Sequence, residues 1–575
     1  MADLRLSLTG CRWVLKPADE AAVVTLSHKL GLSRITARAL LCRGVTTPDE
    51  AERFLNHDLS GILDPLAMKD MDRAVAQVEE AMAQSKLIRI YGDYDVDGVC
   101  ATALLVRALR GLGANVDWYI PHRLDEGYGV NEEAIRQAKE EGVGLLITVD
   151  CGSTAVREVT LARELELEVL VTDHHQLRAE LPPTVVLNPW RQDCGYPFKE
   201  LAGVGVAFKL VAAIARARGL PERAELRFLD LVCLGTVGDV VPLLGENRLF
   251  VRHGLLQLPK SKKVGVLALL SAAGMNGAIG ARQVAFGLAP RINAAGRMEH
   301  AQEAVQLLLT QDREEAAKLA AHLCAQNDRR REQEQQTLAE AEEMVASEVD
   351  LSREKVIVLA SESWHPGVIG IVASRLVDRY HRPALLIAVS EGQGKGSGRS
   401  VPTMNLWAAL NECAPLLTRF GGHHYAAGFG VAAEQVGELR RRINEVADSM
   451  LSMEDLVREI GVDAEAGFVD LSMEAVTELG KLEPCGMANP APLLMVRQLE
   501  VVEATQVGNG SHLSFRLREQ SGQVMDAVWF GRGALAESMP AGTMVDMCCR
   551  PRLDEWHGNA RVRLYVEDMR LAEQQ

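Results

Sequence analysis

The chain has 575 residues, more than one hydrophobic core supports, so we expect three or four domains. Its formal charge of −16 argues against bulk, non-specific binding of nucleic acid, because affinity for phosphates comes from Lys and Arg. No apolar run has membrane-spanning length and the amino end lacks a signal-peptide pattern, so we expect a cytoplasmic protein that makes no membrane contact. The 11 cysteines form no Cys-x-x-Cys pair, so we expect no disulfide scaffold.

The first part of the chain divides into two predicted segments. Residues 1–66 are predicted to be helical and rich in loops, with no recognisable chemistry. Strand and helix patterns then alternate from Ala67 to about Ala301, which predicts an α/β domain over 67–305. Within it, GVCATALLVRALRGLG has the pattern of an amphipathic helix and NVDWYI that of a strand.

Four apolar runs in this domain end on acidic or imidazole side chains. They are LIRIYGDYDVDG, LLITVDCG, EVLVTDHH and LVCLGTVGDVVP. The first three are short, rich in β-branched residues and followed by turn residues, which predicts strands; the fourth is ambiguous. Ligands of open α/β sheets bind beyond the carboxyl ends of the strands, so we expect these side chains to converge. They are Asp93, Asp95, Asp97, Asp150, Asp173, His174, His175 and Asp239.

Such a cluster predicts a divalent-metal site. Crowded carboxylates repel one another unless cations lie among them. Hard oxygen ligands with one or two imidazoles suit Mg²⁺ or Mn²⁺ better than tetrahedral zinc. Two ions would need a shared ligand, and Asp150, alone at its strand end, is the candidate bridge.

Each motif has a simpler structural explanation when taken alone. A single aspartate after a strand, such as Asp150, is usually a helix cap or turn former, and adjacent histidines often belong to a polar loop. The Asp-x-Asp-x-Asp-Gly run also has the start of an EF-hand loop, but the twelfth position is Leu104 where that loop requires glutamate. The joint occurrence in one α/β segment favours the metal site.

The rest of the chain predicts three further segments. Residues 306–350 contain a run without Gly or Pro that predicts a long, solvent-facing helix. A second α/β domain is expected over 351–455, opening with KVIVLA, and 351–445 carries 11 Lys plus Arg against 8 Asp plus Glu. Five short β-like runs in 463–575 predict a small barrel, with the oligonucleotide-binding (OB) type as one choice.

Two glycine-rich motifs of the second α/β domain suggest phosphate contacts. In GKGSGRS, with Ser397 and Arg399, we expect glycines to let backbone N–H groups approach a phosphate, and a plain β-turn is the alternative. In FGGHHYAAGFG, we expect His423 and His424 to contact a phosphate backbone, although the pair can also be structural. In the barrel, Trp529, Phe530 and Trp556 would either stack on bases or fill the core, and core is the commoner role.

Together these motifs resemble a known family. GDYDVDG, the isolated Asp150, the triplet Asp173-His174-His175 and GGHHYAAGF resemble the DHH phosphoesterases with their DHHA1 partner domain. Within that superfamily, PHRLDEGYG, PRINAAGRM, WHPGVIGIVASRL and GKGSGRS are similar to bacterial single-strand-specific exonucleases, from about residue 68 to the carboxyl end. The usual DHH histidine before the paired aspartates is replaced by Tyr91 or Asp93.

The resemblance implies a fold, an activity and a set of site residues. The fold would be two α/β domains, DHH and DHHA1, joined by the long helix and followed by an OB-like barrel. The activity would be 5′-to-3′ hydrolysis of single-stranded DNA to 5′-mononucleotides, with Mg²⁺ or Mn²⁺, in recombination and repair. The metal ligands would be Asp93, Asp95, Asp97, Asp150, His174 and Asp239, supported by Asp173; Asp150 and His175, which faces the scissile phosphate, would be catalytic. The expected phosphate or DNA contacts are Arg123, Arg297, Ser397, Arg399, His423 and His424, with Ser397 and Arg399 receiving the 5′-phosphate.

The expected partners come from the same resemblance: single-stranded DNA and the bacterial single-strand-binding protein. We expect a monomer. Two alternatives stay open. One is a DHH phosphoesterase acting on pyrophosphate, oligoribonucleotides or cyclic dinucleotides; the other is a non-catalytic nucleic-acid scaffold.

Overall fold

The computed structural model describes residues 5–122, 126–127, 129–556 and 559–573. The chain forms two compact units, which are described separately. One contains Met1–Ala51, Arg330–Lys481 and Pro492–Gln575, and the other contains Glu52–Arg329 and Leu482–Ala491. The amino-terminal segment has one short strand and three helices: β1 (Arg12–Leu15), α1 (Glu20–Leu30), α2 (Arg34–Leu41) and α3 (Pro48–Leu55).

The second unit is built on a five-stranded parallel sheet with the strand order β3-β2-β4-β5-β6. Its strands are β2 (Leu87–Tyr91), β3 (Val116–Tyr119), β4 (Val143–Val149), β5 (Glu168–Thr172) and β6 (Val185–Leu187). The helices α4 (Met71–Ala83), α5 (Val96–Gly111), α6 (Glu132–Glu140) and α7 (Val156–Glu164) alternate with them. Leu145 and Ile147 of β4 lie in one core and Leu146 in another, so both faces of the sheet are covered, which explains the continuous apolar runs.

The predicted alternation of strands and helices up to about Ala301 is wrong beyond Leu187. After β6 the described chain of this unit, as far as the long helix, is helical between loops: α8 (Gly203–Ala217), α9 (Leu229–Gly238), α10 (Gly245–Gln257), α11 (Val264–Ala272), α12 (Ala281–Gln283), α13 (Ala289–Met298) and α14 (Gln302–Leu309). The ambiguous run LVCLGTVG is α9, and every residue from Leu229 to Val237 is buried. A helix buried on all sides has no polar face, so its sequence carries no helical period.

The predicted long helix is α15 (Arg313–Glu348), 36 residues in one piece. It is not solvent-facing throughout. Ala320 and Leu323 belong to the core of the second unit, and Ala341 and Val345 belong to a core of the first unit.

The DHHA1-like part of the first unit has a mixed five-stranded sheet of order β10-β11-β9-β8-β7. Its strands are β7 (Ile357–Ser361), β8 (Ala384–Ser390), β9 (Gln393–Arg399), β10 (Leu417–Gly422) and β11 (Ala426–Ala432). Its helices are α16 (Ile369–Tyr380), α17 (Leu406–Asn411) and α18 (Val436–Met450). Only β7 and β8 are parallel.

The carboxyl-terminal part is a closed five-stranded barrel, as predicted. After β12 (Glu459–Val462), which pairs with β1, come β13 (Ala464–Glu465) and α19 (Met473–Gly480). The barrel strands are β14 (Leu494–Val507), β15 (His512–Arg518), β16 (Val524–Trp529), β17 (Met544–Trp556) and β18 (Asn559–Leu571). Pairing of β14 with β17 closes the barrel. The fold class inferred from the sequence is therefore confirmed.

Two sequence expectations concern the chain as a whole. Among the described residues, no helix combines the length and the apolar character that crossing a membrane requires. All 11 cysteines, each of which lies in the described ranges, are free thiols.

Candidate metal centre and phosphate-binding groups

The acidic loop after β2 is held by two helix amino termini. Asp95 caps α5, and its Oδ1 accepts hydrogen bonds from the N–H groups of Asp97 (2.9 Å) and Gly98 (3.0 Å). Asp97, in the first turn of α5, accepts hydrogen bonds from Gly203 N–H (2.6 Å) and Val204 N–H (2.9 Å) at the start of α8. Helix amino termini carry partial positive charge, so both carboxylates lie where that charge stabilises them.

Asp150 directly follows β4 and faces the same helix terminus. Its backbone is left-handed, with φ of 60°, a conformation that costs a non-glycine residue free energy. A Cβ added to Gly203 would lie 2.6 Å from Asp150 Oδ1, so a side chain at position 203 would displace the carboxylate. Gly203 thus allows α8 to approach Asp150 this closely.

In the triplet after β5, Asp173 holds one of the two histidines, His175, by hydrogen bonding. The carboxylate of Asp173 accepts hydrogen bonds from the N–H groups of Ser153 (2.9 Å), His174 (2.7 Å) and His175 (3.1 Å). Nδ1 of His175 lies 2.8 Å from the same carboxylate. Nε2 of His174 points the other way, 3.1 Å from Asp150 Oδ1 and 3.5 Å from Asp239 Oδ2. Asp173 therefore fixes the turn and orients the His175 ring.

Asp239 reaches the site from a helix end, not from a strand. It caps the carboxyl end of α9. Because the carboxyl end of a helix carries partial negative charge, this is an unfavourable place for a carboxylate unless a cation lies nearby.

The structure brings the predicted ligands together in three overlapping groups. In each group the nitrogen or oxygen atoms lie within 4.8 Å of one another: Asp150, His174 and His175; Asp97, His174 and Asp239; Asp93, Asp95 and Asp150. Asp150 and His174 each belong to two groups.

Burial and mutual repulsion dominate the electrostatics of this cluster. Burial, followed by the charge of Asp95, raises the pKa of Asp97 to about 7. Burial, followed by the charge of Asp97, raises the pKa values of Asp150 and Asp239 well above the ordinary range for carboxyl groups. Such side chains ionise together only when a cation offsets their repulsion.

The pKa values of the two histidines, His174 and His175, shift in opposite directions. Burial, followed by the neighbouring His175, lowers the pKa of His174 to about 4, which keeps this ring neutral and available as a ligand. Burial would lower the pKa of His175, but its hydrogen bond to Asp173 outweighs burial and raises that pKa. Burial would likewise raise the pKa of Asp173, but the hydrogen bond and charge of His175 hold it below its ordinary value.

The donor set fits a divalent cation that prefers oxygen ligands. Nε2 of His174 and Oδ2 of Asp239 are buried, and within the described part of the chain neither makes a hydrogen bond. A buried polar atom without a hydrogen bond is costly, and metal ligation is one way to satisfy it. Carboxylates with imidazole match Mg²⁺ or Mn²⁺.

The two candidates for the position of the usual DHH histidine, Tyr91 and Asp93, differ in where their side chains lie. Tyr91 points away, and its hydroxyl donates a hydrogen bond to the carbonyl of Gly129 (3.0 Å). Asp93 lies with Asp95 and Asp150 in one of the three groups.

Several supporting residues were not predicted from the sequence. Asn188 is fully buried and donates hydrogen bonds to Ser153 Oγ and to the carbonyl of His175, both at 2.9 Å. Asn293 accepts a hydrogen bond from Val96 N–H (2.8 Å) and so holds the start of α5. The supporting role of Gly203 could have been suspected from LAGVGVAFK, which has the pattern of a helix start that contains glycine. The two asparagines carry no local signal, because their hydrogen-bond partners are distant in the sequence.

The motif GKGSGRS differs from its prediction. It is neither a phosphate-cradling loop nor a turn but strand β9, paired on one side with β8 and on the other with β11. Its glycines make room for packing: a Cβ on Gly396 would lie 2.2 Å from the Phe429 ring. The backbone N–H groups are taken up by the sheet, so only side chains can contact a phosphate here.

Ser397 and Arg399 do lie together, on one face of β9. Arg399 Nη1 donates a hydrogen bond to Ser397 Oγ (3.2 Å). Gly370, in the first turn of α16, packs against both, because an added Cβ would lie 2.8 Å from Ser397 Oγ and 3.1 Å from Arg399 Nη2. A hydroxyl, a guanidinium and a helix amino terminus form an anion-binding combination. The sequence prediction omitted Gly370.

Among the remaining predicted contacts, the two histidines lie near Arg399. His423 and His424 lie in the turn between β10 and β11, close to Arg399 because Ala426 pairs with Arg399; His424 Nε2 lies 2.9 Å from the carbonyl of Pro402. Arg297 is half-buried in α13 and follows Gly296, which packs against the Tyr94 carbonyl in the acidic loop. Arg123 lies outside the described residues.

The barrel aromatics separate into core and surface. Trp529 is 3% exposed and belongs to the core, whereas Phe530 is 56% exposed. The side chain of Trp556 lies outside the described set.

Known families match most of this architecture. The DHH family N-terminal domain matches residues 87–236, the DHHA1 domain residues 353–449 and the RecJ OB domain residues 462–568. These three domains, together with the acidic cluster, define the class of protein. The chain has the architecture of a DHH-type phosphoesterase.

Relatives narrow the class to one family. The single-stranded-DNA-specific exonuclease RecJ of Bacillus subtilis (strain 168) is 40% identical over 98% of this chain and 71% of its own length. The crystal structure of RecJ in complex with Mn²⁺ from Thermus thermophilus superposes with a TM-score of 0.84 at 35% identity, covering 98% of this chain and 80% of that one. The corresponding Mg²⁺ complex has a TM-score of 0.78 at 34% identity, covering 98% and 78%. The chain belongs to the RecJ family of single-stranded-DNA-specific exonucleases.

Proposed function

We propose that this protein hydrolyses single-stranded DNA from the 5′ end to 5′-mononucleotides with Mg²⁺ or Mn²⁺, in recombination and repair. The observation that carries the proposal is the convergence of the acidic loop, Asp150, His174 and Asp239 in three overlapping ligand groups within 4.8 Å. Membership of the RecJ family supports the substrate, and the Mn²⁺ and Mg²⁺ complexes of the Thermus protein support the metals.

In this proposal the residues that would hold the metal are Asp93, Asp95, Asp97, Asp150, His174 and Asp239, and Asp150 would be the shared ligand if two ions bind. Such ions, when bound, would supply Lewis-acid chemistry that activates water for hydrolysis of a phosphodiester. The protein contributes the arrangement of ligands, set by the amino termini of α5 and α8.

His175 is proposed to act on the phosphate directly. Its Nδ1 is held by Asp173 at 2.8 Å, which fixes the orientation of the ring. Its side chain is 41% exposed, whereas that of His174 is 11% exposed, so His175 lies on the side open to substrate. We assign its Nε2 to donate to a non-bridging phosphoryl oxygen, where charge develops in the transition state.

Ser397, Arg399 and the amino terminus of α16 are proposed to receive the terminal 5′-phosphate. The hydroxyl and the guanidinium share one face of β9 against Gly370, and this combination selects a dianionic group over an internal phosphodiester. Recognition of that end would give the 5′-to-3′ polarity. His423, His424, Arg297 and Arg123 are proposed to contact the strand elsewhere.

The barrel is proposed to bind the strand through an aromatic strip of His512, Phe530 and Tyr565. The His512 and Phe530 rings lie 4.9 Å apart, the Phe530 and Tyr565 rings 6.0 Å apart, and the Arg552 guanidinium lies 5.1 Å from the Tyr565 ring. Phe530 is exposed and the His512 and Tyr565 rings beside it are half-buried. An aromatic surface beside a cation is suited to stacking on unpaired bases. Trp529 is excluded from this role by burial.

The proposal extends to location and partners. Eleven free cysteines suit a reducing cytoplasm, where the DNA substrate also lies. We further propose that the protein acts as a monomer and cooperates with the single-strand-binding protein that coats its substrate.

A nuclease assay tests the central claim. Single-stranded and duplex DNA, labelled separately at each end, are incubated with the protein and Mn²⁺, with and without chelator. We expect mononucleotides only from the 5′ end of single strands, no activity with chelator and none in Asp150→Ala. Preferential hydrolysis of pyrophosphate, oligoribonucleotides or cyclic dinucleotides would instead identify another DHH activity, and DNA binding without hydrolysis a scaffold.

A further inference from the structure

Residues 482–491, LEPCGMANPA, form a short loop that we call the strap. The strap lies between two segments of the first unit in the sequence, yet it belongs to the compact unit that contains the metal centre. None of its residues was singled out by the sequence motifs.

The strap is a defined structure. Asn489 is fully buried, and its Nδ2 donates hydrogen bonds to the carbonyls of Leu482 and Pro484, both at 2.9 Å. Gly486 N–H donates to the carbonyl of Asn489 (2.8 Å). These bonds close the loop on itself and direct the carbonyls of Glu483 and Met487 outward.

Both outward carbonyls accept hydrogen bonds from residues that follow Asp239 in the chain. Leu243 N–H donates to the carbonyl of Met487 (2.8 Å). Arg248 Nη2 donates to the carbonyl of Glu483 at 2.9 Å, and Arg252 Nη1 donates to it at 3.2 Å. Gly486 packs on the same region, since an added Cβ would lie 2.7 Å from Leu243 Cδ1.

The region held by the strap leads directly to the metal centre. Only three residues separate Asp239 from Leu243, and Val240, the first of them, has a left-handed φ of 63°. Asn247 Nδ2 donates two hydrogen bonds. One goes to the carbonyl of Pro242, the residue before Leu243 (3.0 Å), and the other goes to the carbonyl of Glu200 (2.5 Å). Glu200 lies shortly before Gly203, whose N–H binds Asp97. The α9–α10 connection therefore joins the strap to two of the proposed ligands.

We propose that the strap is a positioning element that sets how far Asp239 extends into the metal centre. Asp239 projects from the end of α9, where the helix dipole does not favour a carboxylate, so the α9–α10 connection must fix its place. The strap supplies that restraint through Leu243. This inference rests on the proposed metal site and adds positioning residues that are not among its proposed ligands.

The test is a volume-matched pair of variants in the full-length protein. Gly486→Val inserts a side chain against Leu243, and Gly486→Val with Leu243→Ala removes the opposing side chain. Gly480→Val is the control, because nothing lies within 4 Å of a Cβ added at Gly480. Mn²⁺ affinity is measured from the electron paramagnetic resonance signal of free Mn²⁺, together with kcat and KM on single-stranded DNA.

We expect Gly486→Val to weaken Mn²⁺ binding about 10-fold and to lower kcat at fixed Mn²⁺ while KM for DNA is unchanged. The double variant should recover most of the affinity, excess Mn²⁺ should restore kcat, and Gly480→Val should match the wild type. If Gly486→Val does not fold, Gly486→Ala is measured against Gly480→Ala instead. Wild-type Mn²⁺ affinity in the folded variant, or a loss the double variant does not relieve, would overturn the proposal; no Mn²⁺ binding by the wild type would refute the metal site itself.

Discussion

Nδ1 of His175 lies 2.8 Å from the carboxylate of Asp173, which also accepts three backbone N–H groups. Asp173 is 2% exposed, so in the proposed mechanism it would act through His175 and not by contact with substrate. The pair has the arrangement of a functional histidine held by a buried carboxylate.

Asp173→Asn should therefore lower kcat about 10- to 100-fold with little change in KM, because the amide no longer stabilises a protonated ring. Steady-state kinetics over pH check this. The wild-type requirement for a protonated His175 should move to lower pH in the variant, because losing the Asp173 charge lowers the His175 pKa. An unchanged pH profile would show that Asp173 only shapes the loop.

Gly203→Ala should weaken metal binding, because the new Cβ would lie 2.6 Å from Asp150 Oδ1. Gly205→Ala, two residues along α8, is the matched control, since its Cβ meets only Leu201 at 3.4 Å. Calorimetric titration with Mn²⁺ compares the two. Equal affinities would argue against Asp150 as a ligand.

Stabilisation by metal should increase with pH. The pKa of Asp97 rises from 3.8 to about 7 on folding without metal, so the folded state binds more protons and loses stability as pH rises through this range. Metal binding requires the ionised ligands and reverses that loss. Thermal unfolding with chelator or Mn²⁺ should give a larger Tm difference at about pH 8 than at about pH 5; a difference independent of pH would contradict the assignment.

Arg399→Ala should remove the advantage of a 5′-phosphorylated strand. KM for phosphorylated DNA should rise about 10-fold or more, since a charge-assisted contact contributes roughly 1.5–3 kcal/mol, whereas KM for 5′-hydroxyl DNA should change little. Arg419→Ala, an exposed arginine on β10, is the control. Equal losses on both substrates would assign Arg399 a structural role.

Phe530→Ala should weaken binding of long single strands by about 1–3 kcal/mol and spare hydrolysis of very short oligonucleotides, because we expect only longer strands to gain affinity from this stacking ring. Val524→Ala removes an exposed apolar side chain at the start of β16, the strand that Phe530 follows, and is the control. Fluorescence anisotropy with DNA of graded length measures the effect. A loss that does not depend on length would place Phe530 outside the strand path.

The amino-acid sequence alone determined the fold class, the acidic and imidazole cluster and the closed barrel. Those features have local signals: apolar runs that end on Asp or His, a run without Gly or Pro at α15, and five β-like runs. The sequence left open α9, whose burial on every side removes any helical period, and it misled on GKGSGRS, whose glycines make room for Phe429.

Only the tertiary structure decided which groups support the site. It placed Asp93 beside Asp95 and Asp150 and directed the Tyr91 hydroxyl to the carbonyl of Gly129. It also joined Asp97 to the start of α8, more than 100 residues away, and the strap to the region after Asp239. The physical reason is that a strand or helix pattern reports which residues are buried locally, whereas a hydrogen bond between a carboxylate and a remote helix terminus depends on how distant segments pack.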